Sequence, residues 1–184
     1  MGSRRWLGWV VAALVLAGLV AAGWLVRDRF LPVEVGARAP DFAATDLQGR
    51  PVALSELRGE VVLLNVWATW CPPCLEEMPS MQRLHERLGG EGLRIVAVSI
   101  DAAPGRADAG GRPGGDVAEF VRRLGLGFTV WQDPAGEIQR TYRTTGIPES
   151  FVIDRDGVIV KKVIGATEWD SDASVDLIQR LLAG

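Results

Sequence analysis

Val61-Val62-Leu63-Leu64-Asn65-Val66-Trp67-Ala68-Thr69-Trp70-Cys71-Pro72-Pro73-Cys74-Leu75 is the stretch that decides the fold. Its first seven residues are apolar except for Asn65, the pattern of a strand buried on both faces. Pro72 to Leu88 reads as a helix, because proline suits a first turn whose amide hydrogens lack partners and Gly89-Gly90 closes the far end. Pro79 is expected to kink it. Leu93–Ile100 repeats the buried-strand character. A strand, a helix and a second apolar strand predict a parallel βαβ unit.

Upstream, Phe42–Thr45 and Val52–Leu54 are short strand candidates around the turn-like Leu47-Gln48-Gly49-Arg50, and Ser55 is a candidate cap for a short helical turn. Downstream, Ala102–Gly115 holds five glycines and two prolines with almost no large apolar group, so it is expected to be a mobile surface loop. Asp116 can cap a helix through Leu124, and Ala135–Tyr142 is a second short helix after the Asp133-Pro134 turn. Phe151–Ile153 and Val158–Ile164 flank Arg155-Asp156-Gly157, a hairpin signal because Asp-Gly tolerates positive φ. A last helix is expected over Ser171–Leu182.

The chain has two cysteines, both in Trp70-Cys71-Pro72-Pro73-Cys74. At a helix start, free amides and the positive end of the dipole favour a thiolate, and the thiolate is the species that attacks a disulfide. Cys71 is therefore the candidate nucleophile, and Cys74, one turn inside, the candidate resolving thiol. A c-type haem site would need histidine after the pair, where Leu75 stands. A structural zinc site needs about four ligands, and His85 is the sole histidine, so no metal or cofactor is expected. A structural bridge would close too small a loop to restrict the unfolded chain much, yet it and a metal-carrying dithiol stay open beside redox exchange. Glu77, three residues past Cys74 on the same helix face, can move a proton to or from that thiol or simply be a solvated charge. His85 lies too far along the helix to join it.

Residues Trp6–Val26 carry no charged side chain, and at about 1.5 Å per residue these 21 positions span roughly 31 Å, close to a bilayer core. Trp6, Trp9 and Trp24 stand near the ends, where tryptophan favours the interface. The expected organisation is an anchor over 1–29 with a transmembrane helix at about 6–26, a tether over 30–40 and one folded domain over 41–184. Arg4 and Arg5 ahead of the apolar run resemble an export signal, which places the C-terminal domain outside the cytoplasm. A cleavage site near Ala21-Ala22-Gly23 is the competing reading, but the apolar run is longer than a signal peptide core. The remainder after residue 29 has 16 basic and 22 acidic residues, a net charge of −6 with no basic run, so nucleic acid is excluded as a partner. About 155 residues suffice for a core without staples, leaving the cysteines free for chemistry.

The run Asn65–Pro79, followed by Thr145-Gly-Ile-Pro-Glu-Ser-Phe-Val-Ile-Asp154 and Asp156-Gly157, resembles the TlpA/ResA-like membrane-anchored thioredoxins. The resemblance covers roughly Val35 to the C-terminus. It implies an α/β thioredoxin-like fold, a central mixed sheet flanked by helices with extra N-terminal strands, preceded by one transmembrane helix. It further implies an extracytoplasmic thiol-disulfide oxidoreductase at the cell membrane, with Cys71 attacking, Cys74 resolving, and Glu77 adjusting thiol reactivity. Pro148 would be a cis proline facing the cysteines, Trp70 the aromatic flank, and Ile147 a backbone partner for an extended substrate. Cytosolic-type thioredoxins carry a buried aspartate where this chain has Asn65, which cannot titrate, so proton handling is expected to move to Glu77. The implied partners are a protein disulfide substrate, apocytochrome c or a copper-site protein, and a transmembrane thiol electron donor. A peroxidase is disfavoured because Ala68 stands where such enzymes place threonine, and a dithiol metal carrier is the alternative of a different class.

Overall fold

The computed structural model describes residues 3–26, 33–108 and 110–184. The chain divides into two compact units, Met1–Pro32 and Val33–Gly184. The first contains helix α1, Ser3–Val26. Side chains described within α1 lie between Trp9 and Trp24 and are largely exposed, among them Leu14, Leu16 and Leu19. Among the described residues no helix is long and apolar enough to cross a membrane. The charged flank Arg27-Asp28-Arg29 and the start of the tether lie outside the described residues.

The second unit is built around a seven-stranded mixed sheet ordered β2-β1-β5-β4-β3-β6-β7. Its strands are β1 Ala43–Asp46, β2 Pro51–Ala53, β3 Val61–Trp67, β4 Leu93–Ser99, β5 Thr129–Gln132, β6 Glu149–Ile153 and β7 Ile159–Ile164. The helices are α2 Pro72–Leu88, α3 Val117–Leu124, α4 Glu137–Tyr142 and α5 Asp172–Ala183. β3 and β4 pair in parallel from Val61 with Leu93 to Trp67 with Ser99, and α2 connects them, which is the expected βαβ unit. β6 joins the other side of β3 antiparallel, with Asn65 opposite Ser150. All seven residues of β3 are buried, so its backbone and both faces are covered. Such a strand stabilises the fold by roughly 1.5–3 kcal/mol for each large apolar side chain removed from water.

Several expectations shift by one or two residues at their ends, and two need correction. Ser55 does not cap its turn: the N-cap position is Ala53 without a side-chain bond, and the Ser55 amide instead donates to Asp41 at 2.9 Å. β5 was not expected; it is only four residues long, and it lies between β1 and β4, taking its order from both neighbours. Proline 79 lies inside an α2 that runs unbroken to Leu88, its missing amide leaving the Leu75 carbonyl without that helical donor.

The segment 102–115 takes a specific course. Ala107 bridges Pro113, and the Asp108 carboxylate gathers the amides of Gly110 and Arg112 together with the Arg112 guanidinium. At its end a side chain on Gly114 would collide with the Ala102 carbonyl, and one on Gly115 would meet Thr69 Oγ1 at 2.6 Å. Two of its five glycines, Gly114 and Gly115, are thus required where the chain passes close to Ala102 and to Thr69. Gly157, at φ +79°, turns the β6–β7 hairpin, with Asp154 accepting from the amides of Asp156 and Val158.

Leu64 is fully buried and pairs with Val96 on one side and Phe151 on the other. Leu64→Ala should lower the unfolding free energy by about 2–5 kcal/mol with an unchanged urea m-value. A loss below about 1 kcal/mol in urea denaturation would show that β3 is not the centre of the core.

Candidate active site

β3 delivers the chain to the site, and a short turn hands it to α2. The Thr69 amide and hydroxyl both donate to Asp101, which also receives the Ser99 hydroxyl at 2.7 Å. The Cys71 amide donates to the Ala68 carbonyl at 3.2 Å. This turn presents Cys71 as the N-cap of α2, with Pro72 and Pro73 at the first two helical positions. Prolines have no N–H, so the first turn offers few amides to the sulfur. The amide of Cys74 is the one that reaches it, at 3.3 Å.

Cys71 and Cys74 are joined as a disulfide with their Cα atoms 5.3 Å apart. Cys74 is completely inaccessible and Cys71 is 4% exposed, so an incoming thiol or disulfide can reach only Cys71. The Ile147–Pro148 bond is cis, and Cys71 Sγ lies 3.6 Å from the Ile147 carbonyl oxygen. Glu149 holds that segment in place: buried, it accepts the Thr145 amide at 3.2 Å and pairs with Lys162 at 3.3 Å. On the opposite side of the cysteine the half-buried Trp70 ring carries the Arg112 guanidinium 3.6 Å above its centre, a contact worth about 0.5–1 kcal/mol.

Glu77 is 2% exposed, which excludes the solvated-charge alternative. Asn65 Nδ2 donates to it at 2.7 Å, and the Thr167 amide and Trp169 Nε1 each donate at 3.3 Å. Burial raises its pKa from 4.5 to about 7 despite these three donors. A carboxyl titrating there, on the buried face of α2 one turn beyond Cys74, is able to give or take a proton near neutral pH. Asn65 also donates to Ser150 Oγ at 2.9 Å, so it ties Glu77 to β6. His85 stands apart, edge-on to Phe128. Among the described residues no group of His, Cys, Asp or Glu side chains could hold a metal ion.

Sequence reasoning overlooked Asp101, Arg112, Glu149 and Trp169. Glu149 carried a usable signal, a charge placed between Pro148 and an apolar strand. The others are brought in by tertiary contacts alone.

A mixed sheet flanked by helices, with a C-x-x-C disulfide at a helix start beside a cis proline, defines a thioredoxin-like thiol-disulfide oxidoreductase. The chain belongs to the AhpC/TSA family, whose model matches residues 35–162. It is 34% identical over 171 residues to thiol-disulfide oxidoreductase ResA of Bacillus thuringiensis, covering 90% of this chain and 91% of that protein. Thioredoxin-like protein YneN of Bacillus subtilis is 32% identical over 180 residues, covering 95% of this chain and 98% of its own. A crystal structure described as thiol:disulfide interchange protein DsbE from Chlorobium tepidum matches with a TM-score of 0.69 at 35% identity, covering 82% of this chain and 99% of that one. The chain is thus a thiol-disulfide oxidoreductase of the ResA/DsbE type.

Glu77 fixes the sign of a pH effect. The folded state holds a proton at Glu77 up to about pH 7, whereas the unfolded chain releases it near 4.5. Its stabilising contribution is fully present below the lower value and is lost as pH rises through the higher one. Relative to the wild type, Glu77→Gln should gain about 3 kcal/mol of unfolding free energy between about pH 4 and about pH 8. Urea curves at each pH measure this, and parallel pH profiles would refute the assignment.

Proposed function

We propose that this protein is a membrane-tethered, extracytoplasmic disulfide reductase that acts on the cysteine pair of apocytochrome c. The observation that carries the reductase reading is the environment of the pair. Pro72 and Pro73 remove two amides that would stabilise a Cys71 thiolate, and Glu77 sits behind Cys74. Disulfide oxidants of this fold owe their strength to a stabilised reduced form. Weak stabilisation of the thiolate favours donation of electrons instead.

In the reduced protein, the Cys71 thiolate attacks one sulfur of the substrate disulfide and bonds to it, and the other substrate sulfur leaves as a thiolate that takes a proton from solvent. Glu77 accepts the Cys74 proton, and the resulting Cys74 thiolate attacks Cys71 Sγ. The second substrate sulfur departs and is protonated. Two electrons and two protons reach the substrate, and the Cys71–Cys74 disulfide remains. Trp70 and the Ile147 carbonyl border the attacking sulfur and receive the substrate chain. A transmembrane thiol carrier then returns the pair to its reduced form.

Support for the tether is the uncharged run Trp6–Val26, within a helix whose described apolar side chains are exposed. Support for apocytochrome c is the resemblance to the TlpA/ResA-like group. Cys74→Ser should arrest the reaction at the mixed disulfide, and membranes from cells carrying it should yield an apocytochrome c adduct on non-reducing gels. Capture of a copper-site protein in its place would move the reading to oxidase assembly. Alkaline phosphatase fused after Gly184 should be active, and an inactive fusion would overturn the extracytoplasmic placement.

A further inference from the structure

Three arginines that the exchange chemistry does not use converge beside it. Arg106 and Arg112 from the segment 102–115, and Arg140 from α4, line an open groove of about 960 Å³ over Pro134 and Gln139. The groove's one carboxylate, Asp108, is already occupied by the Arg112 guanidinium and two amides. Arg106 makes no ion pair among the described residues, and Arg140 donates to the Ala135 carbonyl alone. Three guanidinium groups against one carboxylate stand on a domain in which acids outnumber bases 22 to 16.

The groove lies at the end of the sheet that bears the cysteines, because Ile100 and Pro134 in its lining follow β4 and β5, which run parallel to β3. Arg112 covers Trp70, which is covalently next to Cys71. α4 runs on into the segment that sets the Ile147 carbonyl against Cys71 Sγ. A chain docked over Trp70 can therefore continue past Arg112 into a positively charged groove. Carboxylates suit it, because guanidinium groups bind them through paired, charge-assisted hydrogen bonds.

We propose that this groove is a specificity subsite for an acidic segment, rich in Asp or Glu, that flanks the target cysteine pair in the protein substrate. It rests on the reductase reading for the direction of exchange and is independent of which protein supplies the segment. Complementary charge there strengthens association and leaves the sulfur chemistry unaltered, so the subsite acts through KM.

The test uses the full chain in detergent, reduced beforehand, and peptides of one sequence carrying an oxidised Cys-x-x-Cys followed by a run of Glu, Gln or Lys. Quenched-flow alkylation measures their reduction. The Glu peptide should exceed the Gln peptide in kcat/KM by about tenfold, or about 1.4 kcal/mol, with the difference in KM and the Lys peptide slowest. That ratio should fall to near one in Arg106→Gln/Arg140→Gln, persist in Arg106→Lys/Arg140→Lys, and decay with added NaCl. Equal rates for Glu and Gln peptides in the wild type, or a Glu preference unmoved by the double Gln variant, would overturn the proposal. So would equal peptide rates accompanied by arginine-dependent binding to phosphatidylglycerol vesicles, which would assign the groove to a lipid headgroup. Reduction of none of the peptides would instead overturn the reductase reading, and the subsite with it.

Discussion

β3 is hydrogen-bonded on both edges and covered on both faces, and the position of each reacting group follows from that. Its pairing with β4 fixes where α2 begins, and its pairing with β6 fixes where the Ile147–Pro148 segment lies. The constraint is severe because side chains alternate along a strand, so a slip of one residue would exchange its two faces. Such a slip would also part Asn65 from Ser150 and remove the bond that steadies Glu77. The strand is both the centre of the core and the ruler against which the site is measured.

Polar groups inside this core answer to chemistry more than to stability. An ionised carboxyl out of water is costly, and three donors do not restore Glu77 to its ordinary pKa. The result is a group poised between two protonation states one helical turn beyond the buried Cys74. Asp101 is the contrasting case, a buried carboxylate held by Thr69 and Ser99 that fixes the backbone leading into Cys71. One acid titrates near neutral pH, and the other shapes a turn.

The βαβ unit was legible because its signals are local: an apolar run, two prolines and two glycines lie within forty consecutive residues. β5 was not, since Thr129-Val-Trp-Gln is too short to show a period and is a strand only because β1 and β4 are already there. The cysteine pair could be assigned a chemistry from spacing, whereas the partners of Glu77 at Thr167 and Trp169 are about ninety residues away and no pattern near Glu77 announces them. The contacts of the segment 102–115 escaped notice for a related reason. Composition reports what a segment can bury by itself, whereas described residues of this one lie against Trp70, Thr69 and Ala102.

The hydrogen bond between Trp169 Nε1 and Glu77 has an optical consequence. Indole emission responds to charge and hydrogen bonding at its nitrogen, and this buried indole contacts a carboxyl whose pKa is raised to about 7. The protein thus carries one intrinsic fluorophore hydrogen-bonded to Glu77 and a second, Trp70, next to Cys71. Trp169 is buried and Trp70 half-buried, so the two indoles sense different surroundings without an attached label.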